Sequence, residues 1–109
     1  MEKDFTVRIA GADFHVRQQG DKPRTVFLHG FGGDLHTWDG VWSELAGAVP
    51  ALRYDLRGFG QSDKTGLPLS RAQLAADMLS LLDALEIDTA HVVGHDWGGM
   101  VAFKLALEY

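Results

Sequence analysis

The sequence predicts an α/β fold, a mostly parallel sheet covered by helices, entered through an antiparallel hairpin. Three observations carry that prediction. Beyond residue 24, short apolar runs alternate with helical stripes in the order strand, helix, strand, helix, strand, helix, which implies right-handed crossovers and parallel pairing. Each of the three runs ends in a loop holding glycines, so three loops gather at the carboxyl edge of the sheet, where open α/β sheets bind ligands. The last run, Val92-Val93, breaks into Gly94-His95-Asp96-Trp97-Gly98-Gly99 and passes straight into an apolar-periodic segment, Met100 to Tyr109. That order reads as strand, sharp turn, helix.

Each element has its own local cause. Phe5, Val7 and Ile9 alternate with polar neighbours, as do Phe14 and Val16, and Gly11-Ala12 between them makes a hairpin. Gln18 to Arg24, with Gly20, Asp21 and Pro23, is a turn cluster. Thr25-Val26-Phe27-Leu28 has no polar alternation except at its start and fits a strand buried on both faces. After the loop His29-Gly30-Phe31-Gly32-Gly33, Trp38, Val41, Trp42 and Leu45 fall at helical spacing, stopped around Gly47 to Pro50. Ala51 to Tyr54 forms the next strand, followed by a polar, glycine-bearing loop from Asp55 that continues to Pro68. Ser70 and Gln73 have the spacing of a capping box, and Leu74, Met78, Leu81, Leu82 and Leu85 form the stripe of the helix behind it. Ala90 to Val93 is the strand before the turn. The final helix shows apolar residues at Met100, Val101, Phe103, Leu105 and Leu107.

Composition narrows the function. The 109 residues make one domain at most, and 46% hydrophobic with 23% charged residues is ordinary for a globular protein. A net charge of −5 provides no electrostatic footprint for nucleic acid or an anionic membrane, so neither is expected as a partner. There is no cysteine, hence no disulfide framework or thiolate site, and no cluster at metal-ligand spacing; no metal or organic cofactor is expected. With no apolar leader after Met1 and no membrane-length run, the expectation is a cytoplasmic protein acting on a small-molecule substrate.

The spacing Gly94-x-Asp96-x-Gly98 is small-x-nucleophile-x-small, the nucleophile elbow, with a carboxylate where serine is more usual. A carboxylate attacks carbon directly and leaves an ester that water cleaves, so one difficult displacement becomes two easier ones. The following helix offers free N–H groups and partial positive charge that favour an ionised Asp96. The backbone N–H of Trp97 points where negative charge would collect. A purely structural alternative is that Asp96 is an N-cap.

Together the three loops resemble the α/β-hydrolase superfamily across essentially the whole chain. His29 to Gly33 is similar to its oxyanion loop, Asp55-Leu56-Arg57-Gly58-Phe59-Gly60-Gln61-Ser62 to the turn after its fourth strand, and Gly94 to Gly99 to its elbow. An Asp followed by Trp and two glycines resembles epoxide hydrolases and haloalkane dehalogenases. The resemblance implies Asp96 as nucleophile and the backbone N–H groups of Phe31 and Trp97 as oxyanion donors, with both side chains against substrate. Dehalogenases usually carry a polar residue where Phe31 stands, which favours epoxide opening. Gly32 stands where epoxide hydrolases generally have proline and is like many serine esterases and carbon–carbon bond hydrolases.

In this family the triad acid and histidine follow the elbow, and His15, His29, His36, His91 and His95 all lie at or before it. The resemblance therefore implies the amino-terminal portion of a longer hydrolase, residues 1–109 forming an incomplete core, inactive by itself. Its elbow strand, Ala90 to Val93, would then offer an unpaired apolar edge for self-association.

The remaining residues have structural readings. His29 braces the oxyanion loop, His95 is structural, Trp97 packs or touches substrate, and Asp55 and Arg57 form a loop ion pair. Gly30, Gly32, Gly94 and Gly98 shape the two loops. Two other function classes stand beside the enzyme. Thr25 to Leu28, the Gly30-Phe31-Gly32 loop, a helix and Asp55 imitate a dinucleotide-binding unit, but Leu35 occupies the third glycine position. A non-catalytic relative that keeps the turn for binding is the other.

Overall fold

The computed structural model describes residues 2–45, 48–64 and 69–108. The expected end of the first helical stripe at Gly47, the Asp55 loop at 65–68 and the last residue, Tyr109, lie outside the described residues.

Five strands form one sheet in the order β1 (Glu2–Ile9), β2 (Ala12–Gln19), β4 (Ala51–Tyr54), β3 (Thr25–Leu28) and β5 (His91–Gly94). The opening hairpin is antiparallel, with Phe5 opposite Val16 and Val7 opposite Phe14, and β2 pairs antiparallel with β4. From there β4, β3 and β5 run parallel. β2 continues through Gln19 into the expected turn cluster because that residue pairs with both Glu2 and Ala51. Among the described residues β5 has a strand neighbour only at β3.

Strand alternation sends neighbouring residues to opposite faces. Phe27 and Ala51 join Trp42, Trp38 and Leu45 on one face, under α1 (Asp39–Leu45). Val26, Leu28, Leu52 and Tyr54 join the other face with Leu74, Met78 and Leu81 of α2 (Arg71–Ala84) and Val101 and Leu105 of α3 (Trp97–Glu108). The four residues of β4 are all buried, Arg53 included. Its guanidinium is accommodated by Leu35 O at 2.9 Å, Asp39 Oδ1 at 2.6 Å and the Trp42 ring at 4.4 Å. No helix among the described residues is long and apolar enough to cross a membrane.

Three local expectations need correction. The stripe from Trp38 begins as a 3-10 turn, Leu35–Trp38, capped by the Asp34 side chain on His36 N–H, and Val41 stays exposed. The capping box is half made. Ser70 Oγ accepts the Gln73 N–H at 3.1 Å, but the Gln73 amide turns forward to Asp77 Oδ1 at 2.8 Å instead of back to Ser70. α3 starts at Trp97, three residues before the apolar period suggests, because Gly98 and Gly99 lie inside its first turn.

Candidate active site

The chain passes from β3 to β4 on one side and later to β5 on the other, so the carboxyl end of β3 is a switch point with a crevice above it. β5 is prolonged by His95 N–H donating to Leu28 O at 3.1 Å, and α3 opens with Gly98 N–H on His95 O at 2.9 Å. His95 and Asp96 therefore make the whole reversal. Asp96 adopts φ 57°, a left-handed conformation that a residue with a Cβ adopts only when its surroundings hold it there. The surroundings are close backbone contacts. A Cβ at Gly98 would run into the Leu28 carbonyl, and one at Gly94 into the Gly98 carbonyl.

The Asp96 side chain is exposed, and its Oδ2 accepts the backbone N–H of Phe31 at 3.2 Å, from a residue 65 positions away. An N-cap would instead accept from the second or third amide of its own helix. The Phe31 N–H first, and the Trp97 N–H second, hold the Asp96 carboxyl below the usual carboxylate range, with a smaller contribution from His95. At neutral pH the group is an anion facing two amides.

The crevice at this carboxylate has a volume of 500 Å³ and is lined by Gly30, Phe31, Gly32, Gly33, Thr37, His95 and Asp96. Gly30 lies so close beneath that a Cβ there would stand 2.7 Å from the Cβ of Asp96. The Phe31 ring is 66% exposed beside the carboxylate, and its centroid is 4.8 Å from that of the half-buried Trp97. A third ring, Phe59, lies 5.7 Å from Phe31 and 6.2 Å from Trp97. Sequence reasoning singled out the first two and missed the third. The only signal was an aromatic residue between the glycines of the Asp55 loop.

Below the crevice, His29 is fully buried. Its Nε2 accepts the Leu56 N–H at 2.9 Å, so Nδ1 carries the proton and donates to Gly30 O at 2.8 Å. Burial lowers its pKa, keeping the ring neutral in that tautomer. With both nitrogens engaged, His29 ties the Gly30 loop to the Asp55 loop. The His95 side chain is exposed and makes no hydrogen bond among the described residues.

The expected Asp55–Arg57 ion pair is not formed. Arg57 instead makes a two-pronged pair with Asp77 of α2, both bonds at 2.8 Å, which raises the arginine pKa. Asp55 accepts from Leu35 N–H at 2.7 Å and Gln61 N–H at 2.9 Å and meets His15 Nδ1 at 3.1 Å. Each charge is held from another segment, Asp55 by the Leu35 amide and His15 and Arg57 by Asp77. A visible hint was Asp77 itself, a carboxylate amid the Leu74, Met78 and Leu81 stripe, where burial demands a partner.

The alpha/beta hydrolase fold family matches residues 23–109. An epoxide hydrolase of Caballeronia sordidicola is 36% identical over 108 residues, covering 96% of this chain and 33% of that protein. Among solved structures, an epoxide hydrolase from Vigna radiata superposes with a TM-score of 0.83 at 31% identity, over 98% of this chain and 36% of that one. A loop variant of a haloalkane dehalogenase from Bradyrhizobium elkanii gives 0.86 at 29% identity, over 96% and 36%. The chain thus spans about a third of the length of the curated relatives it matches. Parallel β4, β3 and β5, helices on both faces and the tight turn into α3 agree with that match, and the chain belongs to the alpha/beta hydrolase fold family.

Proposed function

We propose that residues 1–109 are the amino-terminal part of a longer hydrolase that opens epoxides through an alkyl ester on Asp96. One observation carries this reading: an ionised carboxylate at a left-handed turn, with Oδ2 already on the Phe31 amide. The other oxygen, Oδ1, attacks a ring carbon. The carbon–oxygen bond of the epoxide breaks, and the ring oxygen leaves with the electron pair and takes up a proton. Oδ2 thereby becomes the carbonyl oxygen of the ester, still facing the amides.

Water then adds to Cγ of Asp96 and loses a proton to a base. Negative charge collects on Oδ2, where the N–H groups of Phe31 and Trp97 stabilise it, and collapse expels the diol and restores the carboxylate. Both nitrogens of His29 are engaged and His15 meets Asp55 and Asp4 on its two nitrogens, and the family resemblance assigns the base to a histidine that follows the elbow, in the rest of the longer protein. A second reading, carbon–halogen cleavage by the same nucleophile, draws on the likeness to the dehalogenase and on the Trp97 indole, whose ring meets Phe31 at the crevice. Halide release from a haloalkane, with no diol from an epoxide, would favour it.

A single turnover of the full-length protein on an epoxide in ¹⁸O-water tests the ester. The label is expected first on the Asp96 carboxylate, read by peptide mass spectrometry, and in diol only from the second turnover. Label in the first diol would mean that water attacks the epoxide directly.

The open side of β5, where Val93 is 38% exposed, supports self-association of the isolated 109-residue chain. Sedimentation velocity is expected to show concentration-dependent oligomers; a single monomeric boundary at all concentrations would refute it.

A further inference from the structure

Phe59 contacts three residues at the rim of the crevice or beneath it. Its ring meets His29 at 5.5 Å, Phe31 at 5.7 Å and Trp97 at 6.2 Å between centroids, each nearly edge to face. Phe31 and Trp97 are the two residues whose amides face Asp96. Phe31 comes from the loop after β3 and Trp97 from the first turn of α3, and the pair by itself is poorly held, because the Phe31 ring is mostly in solvent.

Phe59 comes from neither segment. Its backbone is pinned within the Asp55 loop by its own N–H on Leu56 O at 3.0 Å and by Ser62 N–H on its carbonyl at 3.1 Å. That loop is anchored in turn by Ser62 Oγ on Asp55 O at 2.6 Å and by Leu56 N–H on His29. A ring held by a third segment, a loop itself fixed by its internal hydrogen bonds and tied to the first through His29, turns a sliding pair into a triangle. Edge-to-face contacts also restrict the orientation of each ring, which simple apolar contact does not.

We propose that Phe59 is a positioning residue that sets the placement of the Phe31 and Trp97 amides around Asp96, an inference that rests on the ester reading of Asp96. The ester carbonyl lies between those amides, so the step most sensitive to their placement is ester hydrolysis, in which charge grows on Oδ2. The alkylation step, in which the carboxylate loses charge, depends on them less.

The test uses Phe59→Leu, Phe59→Met and the ring-keeping Phe59→Tyr in the full-length protein. The amide protons of Phe31 and Trp97 are followed by NMR through the titration of Asp96. In the wild type and Phe59→Tyr both amides report one midpoint below the usual carboxylate range; in Phe59→Leu and Phe59→Met that midpoint is expected to rise and the amide responses to shrink. In rapid-quench mass spectrometry the two ringless variants are expected to accumulate the ester, with hydrolysis slowed about tenfold. A ring that only supported the fold would lower the active fraction without changing the balance of the two steps. Should Phe59→Leu or Phe59→Met keep the wild-type midpoint and amide responses, the positioning role is overturned, whatever the activity. Should no ester form in any variant while the midpoint still rises, the ester reading fails and the positioning of the amides stands. Phe59→Met preserves apolar bulk and reports if Phe59→Leu does not fold, and a Phe59→Tyr that behaves like Phe59→Leu would overturn the role of the ring.

Discussion

Asp96→Asn in the full-length protein is expected to lower kcat by about 10⁴-fold or more while leaving the fold intact, because an amide is a poor nucleophile and losses of this order follow removal of an attacking group. The substitution separates chemistry from folding unusually well. Asn tolerates the left-handed region better than other residues with a Cβ, so φ 57° at this position costs it little. Its side-chain oxygen still accepts from the Phe31 N–H. Thermal unfolding of the variant is expected to stay within about 1 kcal/mol of the wild type. A slow return of activity on incubation, matched by a rise of one mass unit in the peptide holding position 96, would mark hydrolysis of the amide back to the acid. Full activity from the first turnover, without that mass change, would remove Asp96 from the chemistry.

The second large effect concerns the turn itself. Gly98→Ala is expected to destabilise the protein by about 3 kcal/mol or more, since the new methyl would enter the Leu28 carbonyl, and backbone in the middle of a sheet cannot give way. Helix propensity points the other way, by about 1 kcal/mol in favour of alanine. Gly99→Ala is the matched control. Its Cβ would stand 3.6 Å from the Gly94 carbonyl oxygen, an ordinary contact, so propensity should win and the variant should be neutral or stabilised by up to about 1 kcal/mol. Urea midpoints of the two variants decide it. Equal midpoints would mean that the glycines serve helix entry alone and that close packing of α3 on β3 is not what selects Gly98.

Both predictions depend on the same small structural unit, and that unit was only partly legible as local pattern. The opening hairpin, the buried Thr25 to Leu28 strand and the α2 stripe follow from periodicity, which reflects a face turned to the core, and all three are present. The start of α3 did not follow. Gly98-Gly99 looks like a break in the pattern, yet those residues are helical, because their small size serves contact with Leu28 and not an escape from the helix. The Ser70 cap was legible, but the Gln73 half of it was not, since a buried Asp77 with Arg57 beside it competes for the amide.

What the order of residues determines here is chemical and local: an acid between small neighbours after an apolar strand, two glycine-bearing loops, and stripes that must be covered. The family likeness followed from those segments in combination. Which groups meet was decided by the sheet order β2-β4-β3-β5, which brings Phe31 and Phe59 from two loops and Trp97 from the start of α3 to one rim and sets the Phe31 amide on Asp96. The physical reason is distance along the chain. Alternation and helical spacing act over a few residues, whereas the contacts that orient Asp96, neutralise Arg57 and lock His29 span 20 to 65 residues and exist only once the parallel strands are in register.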